Sequence, residues 1–347
     1  MKISDDARTL PARPPVSVQI LDLLMGSWRA GVVSTFAELG VADAFRAGSL
    51  TPTQLAFRLG LERDISDRFC RAARAVGLIA EAPHGTLELT ELGEALATES
   101  AHSMRNFARW SGSSADRATW AHLPTAVRTG RSPFAAVHGT GVWDFFDTHP
   151  DTGAVFNAAM TELSRHVIRP VVQGIDFSRY KSVTDIGGGR GALLSSVLRE
   201  FPHLNGVLVD QPDVLARAPQ VLQDAGVAER VTLAPGSFFD ELPSGSDIFL
   251  ISNVLHDWDD SRTRAILRNI ATAMRPGDDL AVIEAVVGVD AQFDEAIGLM
   301  DMDMLVLCDG KQRSLEDFRV LLAELGIEVT GLSRAGLQSI VHGTKRP

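Results

Sequence analysis

The chain has 347 residues, enough for two domains of ordinary size, and its 45% apolar and 22% charged content is that of a globular protein. A net charge of -11 and a sequence pI near 5.3 argue against a broad phosphate-binding face. No apolar run approaches the roughly 18 residues of a membrane span, and two cysteines, Cys70 and Cys308, give neither a disulfide framework nor metal-ligand spacing and read as buried small residues. Met1 to Pro15 mixes Asp5 and Asp6 with Arg8 and Arg13 and lacks a signal-peptide core, so a frayed arm on a cytoplasmic protein is expected.

From Gln19 to Phe45, apolar residues recur at three- and four-residue steps (Ile20, Leu23, Leu24, Trp28, Val32, Phe36, Leu39), which predicts a helix covered on two sides and suited to a subunit interface. Thr51 then caps a helix, with Pro52 at its first position and Gln54 at the capping-box site, ending at Gly60. A second helix is expected over Ser66–Val76, then Leu78-Ile79-Ala80, a turn at Pro83-His84-Gly85, Leu87-Glu88-Leu89 and a short helix opened by Thr90. Helix, turn, helix and hairpin make a winged helix. Its second helix carries Arg68, Arg71 and Arg74, but residues 1–100 hold ten basic and thirteen acidic side chains, which favours packing or dimerisation over DNA.

Residues 101–170 read as a helical connector holding Trp110, Trp120, Phe134, Trp143, Phe145, Phe146 and Phe156. These serve either as packing or as the wall of a pocket for a flat ligand. From residue 171 to 347 strands alternate with helices. Strands are expected at Ser182–Ile186, Gly206–Asp210, Val231–Ala234, Asp247–Ser252, Leu280–Val286, Ile327–Gly331 and Ser339–His342. Helices are expected at Ala192–Glu200, Asp213–Ala225, Ser261–Met274 and Leu315–Leu325. The fold class is α/β, a Rossmann-like doubly wound, mostly parallel sheet that gathers ligands on the rim of strand C-termini.

That rim carries the chemistry. The first strand ends in Asp185 and a turn with Gly187, Gly188, Gly189 and Gly191, where the backbone can approach a ligand. Asp210 ends the second strand, about twenty residues beyond the turn, where an acid accepts ribose hydroxyls. Ser237-Phe238-Phe239 follows the third strand and suits an adenine. Ser252 begins the run Asn253-Val254-Leu255-His256-Asp257-Trp258 after the fourth, and Glu284 follows the fifth. Gly187-x-Gly189-x-x-Ala192 also satisfies a permissive dinucleotide fingerprint. An NAD-dependent oxidoreductase therefore stays open, although no Tyr-x-x-x-Lys pair accompanies the chain's one tyrosine, Tyr180.

Together these motifs resemble the S-adenosylmethionine-dependent O-methyltransferases that act on phenols and related small molecules, the plant caffeate type and its bacterial natural-product relatives. Asp185 to Gly191 matches the family's cofactor loop, Gly236 to Phe239 and Leu255 to Trp258 its third and fourth motifs, and Gly310-Lys311-Gln312-Arg313-Ser314 its late motif. The resemblance implies a class I methyltransferase domain with an N-terminal, all-helical or winged-helix dimerisation domain, hence a homodimer, no metal, and S-adenosylmethionine as cofactor. It implies that Asp185, Gly187, Gly189, Gly191, Asp210, Ser237, Phe238, Phe239, Ser252 and Trp258 hold the cofactor. It further implies His256 as general base with Glu284 and Gln312 beside it, and Phe156, Asn157, Met160, Asp257 and Asp303 around a small aromatic acceptor. Two positions depart from the plant pattern: Ser237 and Gln312 stand where those enzymes have acids. Gln312 supplies no charge for an imidazolium, which leaves Glu284 as the charged partner and keeps open, as alternatives, methylation of nitrogen, carbon or sulfur or a changed chemistry on the same cofactor.

Overall fold

The computed structural model describes residues 14–347, so most of the expected arm, residues 1–13, lies outside it. The chain divides into two compact units, one ending at Ser113 and the other spanning Ser114–Pro347. The expected connector is thus split. Its first residues join the N-terminal unit because helix Arg105–Ser111 packs on the first helix, with Arg109 donating to Glu38 at 2.7 Å.

The N-terminal unit opens with α1 (Val16–Glu38), which ends seven residues before the expected Phe45 because Gly40 turns left-handed at φ 64°. α2 (Pro52–Leu59) carries the predicted Thr51–Gln54 capping box and stops at Gly60. α3 (Arg63–Ala75) starts three residues before the expected Ser66 because the Glu62 carboxylate caps Ile65 N. The hairpin β1 (Ile79–Ala82) and β2 (Thr86–Leu89) pairs antiparallel, and α4 (Arg105–Ser111) closes the unit. Phe36, Leu50, Leu55, Cys70, Ile79 and Leu87 form its core. Arg74 on α3 is paired with Glu81 at 2.6 Å. Among the described residues the two-sided cover expected for α1 is absent: Leu23, Leu24 and Trp28 are 71%, 66% and 69% exposed. By length and composition α1 is also the one helix among the described residues apolar enough to cross a membrane, which corrects the sequence estimate that no run comes close.

The second unit begins with five helices, α5 (Ser114–Trp120), α6 (Leu123–Thr129), α7 (Phe134–His138), α8 (Val142–Thr148) and α9 (Pro150–Gly174). The alternating region follows: β3 (Ser182–Ile186), α10 (Ala192–Glu200), β4 (Asn205–Asp210), α11 (Ala218–Asp224), β5 (Val231–Pro235), β6 (Ile248–Ser252), α12 (Asp260–Ala273), β7 (Asp279–Glu284), β8 (Val286–Val287), α13 (Asp294–Cys308), β9 (Arg313–Ser314), α14 (Leu315–Ala323), β10 (Ile327–Ala335) and β11 (Gln338–Lys345). The seven-stranded sheet has the order β10-β11-β7-β6-β3-β4-β5, parallel from β5 to β7 and antiparallel at β11 and β10. The central run Ile248-Phe249-Leu250-Ile251 is buried throughout, as a strand covered on both faces must be. Ile248 and Leu250 join the core under α9 and α10, Phe249 and Ile251 the core under α12 and α14.

Several boundaries differ from expectation. The helix read as Asp213–Ala225 breaks at Arg217 into Pro212–Leu215 and α11. The strand read to Val286 ends at Glu284, and Val286–Val287 leaves to pair in parallel with Arg313–Ser314. The last two strands are longer because they form a hairpin on the sheet edge. α13 was not anticipated, since its acids interrupt the apolar period.

Candidate active site

The strand order reverses between β3 and β6, the point at which sheets of this kind bind ligands, at the C-terminal ends of the strands. β3 delivers Asp185 and the glycine turn. Gly187 and Gly188 donate to Val209 O at 2.9 and 3.3 Å, which ties the turn to β4. Gly187 has φ 65°, and a Cβ there would lie 2.8 Å from Val254 Cγ2 and 3.7 Å from the Phe238 ring. Only glycine leaves that floor open. Asp210, at the end of β4, accepts Gly189 N at 2.8 Å on one oxygen and Gln211 N at 2.7 Å on the other. Each oxygen keeps a lone pair for a hydroxyl donor. Burial raises the Asp210 carboxyl while these two amides hold it down. Beneath the turn, burial and the Asp210 charge push Asp185 up to about 7. A bare backbone floor beside a carboxylate with lone pairs to spare fits S-adenosylmethionine.

Aromatic rings border this floor. Ser237 Oγ accepts Phe239 N at 3.1 Å and so shapes the turn after β5. The rings of Phe238 and Phe239 lie 6.0 and 4.9 Å from Trp258, both edge-on. Trp258 lies 5.9 Å from Trp143 of α8, and Trp143 lies 6.2 Å from Phe156 of α9, which stacks on Phe146 at 4.5 Å. Met160 is one helical turn beyond Phe156 and shares its face, while Asn157 is exposed. Ser252 ends β6 and takes a 3.3 Å hydrogen bond from Asn253.

His256 and Asp257 sit in a short helical turn, Leu255–Asp257, after β6. The His256 side chain is 12% exposed, with Nδ1 2.9 Å from Gln312 Nε2 and 3.5 Å from Glu284 Oε2. Glu284 is buried. Its Oε1 accepts Val254 N and Leu255 N at 3.1 and 2.8 Å, while its Oε2 has no hydrogen-bond partner among the described residues. That oxygen is therefore available to a proton on Nδ1. On the other side of the ring, Nε2 lies 3.6 Å from Asp257 Oδ1. Burial by itself lowers the affinity of His256 for a proton. The charges of Glu284 and Asp257 and the Gln312 contact outweigh it and raise the pKa, against Arg313, which lowers it. Asp257 is pushed to about 7 by burial, with Glu284 and Asp303 adding to the rise and His256 opposing it. Asp303 on α13 accepts the indole N–H of Trp120 at 2.9 Å and is raised by burial.

All three predicted base-site residues thus meet around one imidazole, and Asp185, Asp210 and the glycines meet around one turn. Sequence reasoning missed the residues that hold the His256 turn in place. Lys311 N donates to His256 O at 2.9 Å, and a Cβ at Gly310 would lie 2.1 Å from that oxygen. Arg313 reaches the same turn, as does Thr263 through Leu255 O and Trp258 O. The late motif was the available signal for Gly310 and Arg313. Trp120 was marked only as one of the connector's aromatics, and nothing local marked the buried Asp116, which burial and Asp303 push to about 7.

A family model described as an O-methyltransferase domain matches residues 120–328, and the chain belongs to that family. The protein is an S-adenosylmethionine-dependent O-methyltransferase. It is 35% identical over 319 residues to the mitomycin biosynthesis 6-O-methyltransferase of Streptomyces lavendulae, covering 92% of this chain and 91% of that one. It is 33% identical to the 8-amino-8-demethylriboflavin N,N-dimethyltransferase of Streptomyces davaonensis, covering 88% and 89%. Among solved structures, an O-methyltransferase from neocarzinostatin biosynthesis, in complex with S-adenosylmethionine and 2-hydroxy-5-methyl naphthoic acid, superposes with a TM-score of 0.78 at 33% identity, covering 91% and 95%.

Proposed function

We propose that the enzyme methylates a hydroxyl of a small aromatic natural-product acceptor, with His256 Nε2 taking the hydroxyl proton. The observation that carries this reading is the unpartnered Glu284 Oε2 lying 3.5 Å from His256 Nδ1. A proton on Nδ1 pointing at that carboxylate leaves the Nε2 lone pair free to accept. Turning the Gln312 amide over gives Nδ1–H a second acceptor through Oε1, which is buried and otherwise unpaired. S-adenosylmethionine supplies an electrophilic sulfonium methyl for in-line displacement. A phenol titrates near pH 10 and is mostly protonated at neutral pH, so removing its proton during attack is worth about a hundred- to ten-thousandfold.

Asp210 holds the ribose in this reading, and Gly187, Gly189 and Gly191 form the floor with Asp185 beneath. Ser237, Phe238, Phe239 and Trp258 take the adenine side, and Ser252 lines the cofactor. Phe156, Met160 and Asn157 form the acceptor wall, and Asp257 and Asp303 face the acceptor's polar edge. The dimethyltransferase relative supports a second reading, transfer to an aromatic amine. A labelled-methyl assay over hydroxylated aromatic acids, phenols, quinones and aromatic amines separates the two, and retention of full turnover in His256→Ala sinks the base assignment.

We further propose that the N-terminal unit dimerises through α1. Val16, Ile20, Leu23, Leu24 and Trp28 line an exposed apolar stripe, too large to remain solvated without a partner. Light scattering gives twice the chain mass on this reading, and Leu24→Glu gives the monomer.

A further inference from the structure

Arg313 is among the most deeply buried large side chains of the described residues, 1% exposed, in a chain of net charge -11. A guanidinium is never neutral, so its burial needs an oriented set of acceptors. Those acceptors are the two ends of the base-bearing turn. Nη1 donates to Leu255 O at 2.8 Å, and Nη2 donates to Trp258 O at 2.8 Å, with His256 and Asp257 held between them. The charge is balanced from behind, where Nη2 and Nε reach Asp260 Oδ1 at 2.9 and 3.3 Å. The backbone of Arg313 is fixed in turn by the β8–β9 ladder, Val286 opposite Arg313. Glu284 fixes the start of the same turn through Leu255 N, so the turn is clamped from β7 and from β9.

We propose that Arg313 is a positioning residue for methyl transfer, its planar fork spanning the turn that aims the His256 imidazole. A lysine cannot reproduce two divergent bonds from one rigid plane. The cation has a second effect. His256 is faced by Asp257 from its own turn, Glu284 from β7, Asp303 from α13, and Gln312 and Arg313 from the late segment. Three of these are acids that favour imidazolium. Arg313 is the one cation among them, and its charge opposes the rise that the acids produce.

The inference rests on His256 being the base, and the test separates the two ideas. The imidazole of His256 is titrated by nitrogen NMR with S-adenosylhomocysteine bound, and turnover is measured with the fastest acceptor of the labelled-methyl panel. Arg313→Lys keeps the charge and loses the fork. We expect an unmoved midpoint and turnover reduced about ten- to hundredfold, the scale of a misplacement near 1 Å. Arg313→Met loses both, so the midpoint moves to higher pH and turnover falls at least as far. Cofactor affinity by calorimetry stays close to wild type in both. Wild-type turnover in Arg313→Lys overturns the positioning role, and an unmoved midpoint in Arg313→Met overturns the charge role. If Arg313→Met does not fold, Asp260→Asn decides the charge role, because freeing the guanidinium from its counter-ion moves the midpoint to lower pH and an unmoved midpoint refutes it. Failure of the base assignment gives a different result: His256→Ala then keeps its turnover, whereas failure of the Arg313 inference alone leaves His256→Ala inactive.

Discussion

The two sides of the catalytic rim are built from different materials. On the β3–β4 side the ligand floor is mostly backbone, a glycine turn bonded to Val209 O and a single carboxylate that accepts two amides. On the β6–β7 side everything turns on side chains that converge from distant segments: Glu284, Asp303, Gln312 and Arg313 around one turn. A backbone site tolerates change in its surroundings and fails when a Cβ intrudes. A side-chain site fails by degrees, as each supporting contact is lost.

The largest test of this contrast is His256→Ala. Turnover should fall a hundredfold or more while S-adenosylmethionine affinity stays nearly unchanged, since the proposed base belongs to the side-chain half. A loss of cofactor binding of similar size would merge the two halves into one site. Glu284→Gln should follow, with turnover down about ten- to hundredfold. Its amide keeps an acceptor for Val254 N and Leu255 N but turns a donor toward Nδ1, favouring the tautomer that cannot accept at Nε2. Because Glu284 raises the His256 pKa, its neutralisation lets burial dominate. The residual acid limb of the pH–rate profile then moves to lower pH, opposite to the shift expected for Arg313→Met.

Gly310→Ala tests the boundary between the two materials. It is a backbone position serving the side-chain half, and its Cβ would sit 2.1 Å from His256 O, so the turn must shift. We expect about 1–3 kcal/mol of destabilisation by thermal melting and a tenfold or larger loss of turnover. Asp210→Ala has the reverse profile: cofactor affinity falls first, by about tenfold or more, the worth of hydrogen bonds to a charged acceptor. Unaltered binding in calorimetry would remove the ribose role.

How much of this could be read from residues alone follows the same division. The glycine turn and its flanking strand and helix lie within one short run, and Ser182–Ile186 and Ala192–Glu200 match their expected bounds. The Thr51–Gln54 capping box is equally local. The convergence of Asp303 with Trp120 was not legible, because their partnership exists only once α13 and α5 pack together. α13 itself escaped notice because Asp294, Glu295, Asp301 and Asp303 break its apolar period. Arg313 stood inside a recognised motif, yet its role depends on carbonyls more than fifty residues upstream.

The smallest expected effect concerns stability and sharpens the comparison from the other direction. Asp185, Asp257 and Asp116 have folded-state carboxyls near 7, chiefly through burial, against an ordinary value of 3.8. The folded chain therefore binds more protons than the unfolded chain between about pH 4 and pH 7. The stability these groups contribute is fully present below the unfolded value and is lost as pH rises through the folded one. Thermal melts of the ligand-free enzyme should accordingly show these three groups lowering the midpoint from pH 5 to pH 8. Asp185→Asn removes one of the three terms. Its amide carries no charge to bury beside Asp210, so at pH 8 the midpoint rises, by roughly 2–4 °C for each kcal/mol recovered. The same substitution at pH 5, where wild type is already largely protonated at this position, gains less. An equal gain at both pH values would mean that Asp185 is ionised under the turn throughout, held there by contacts stronger than its burial.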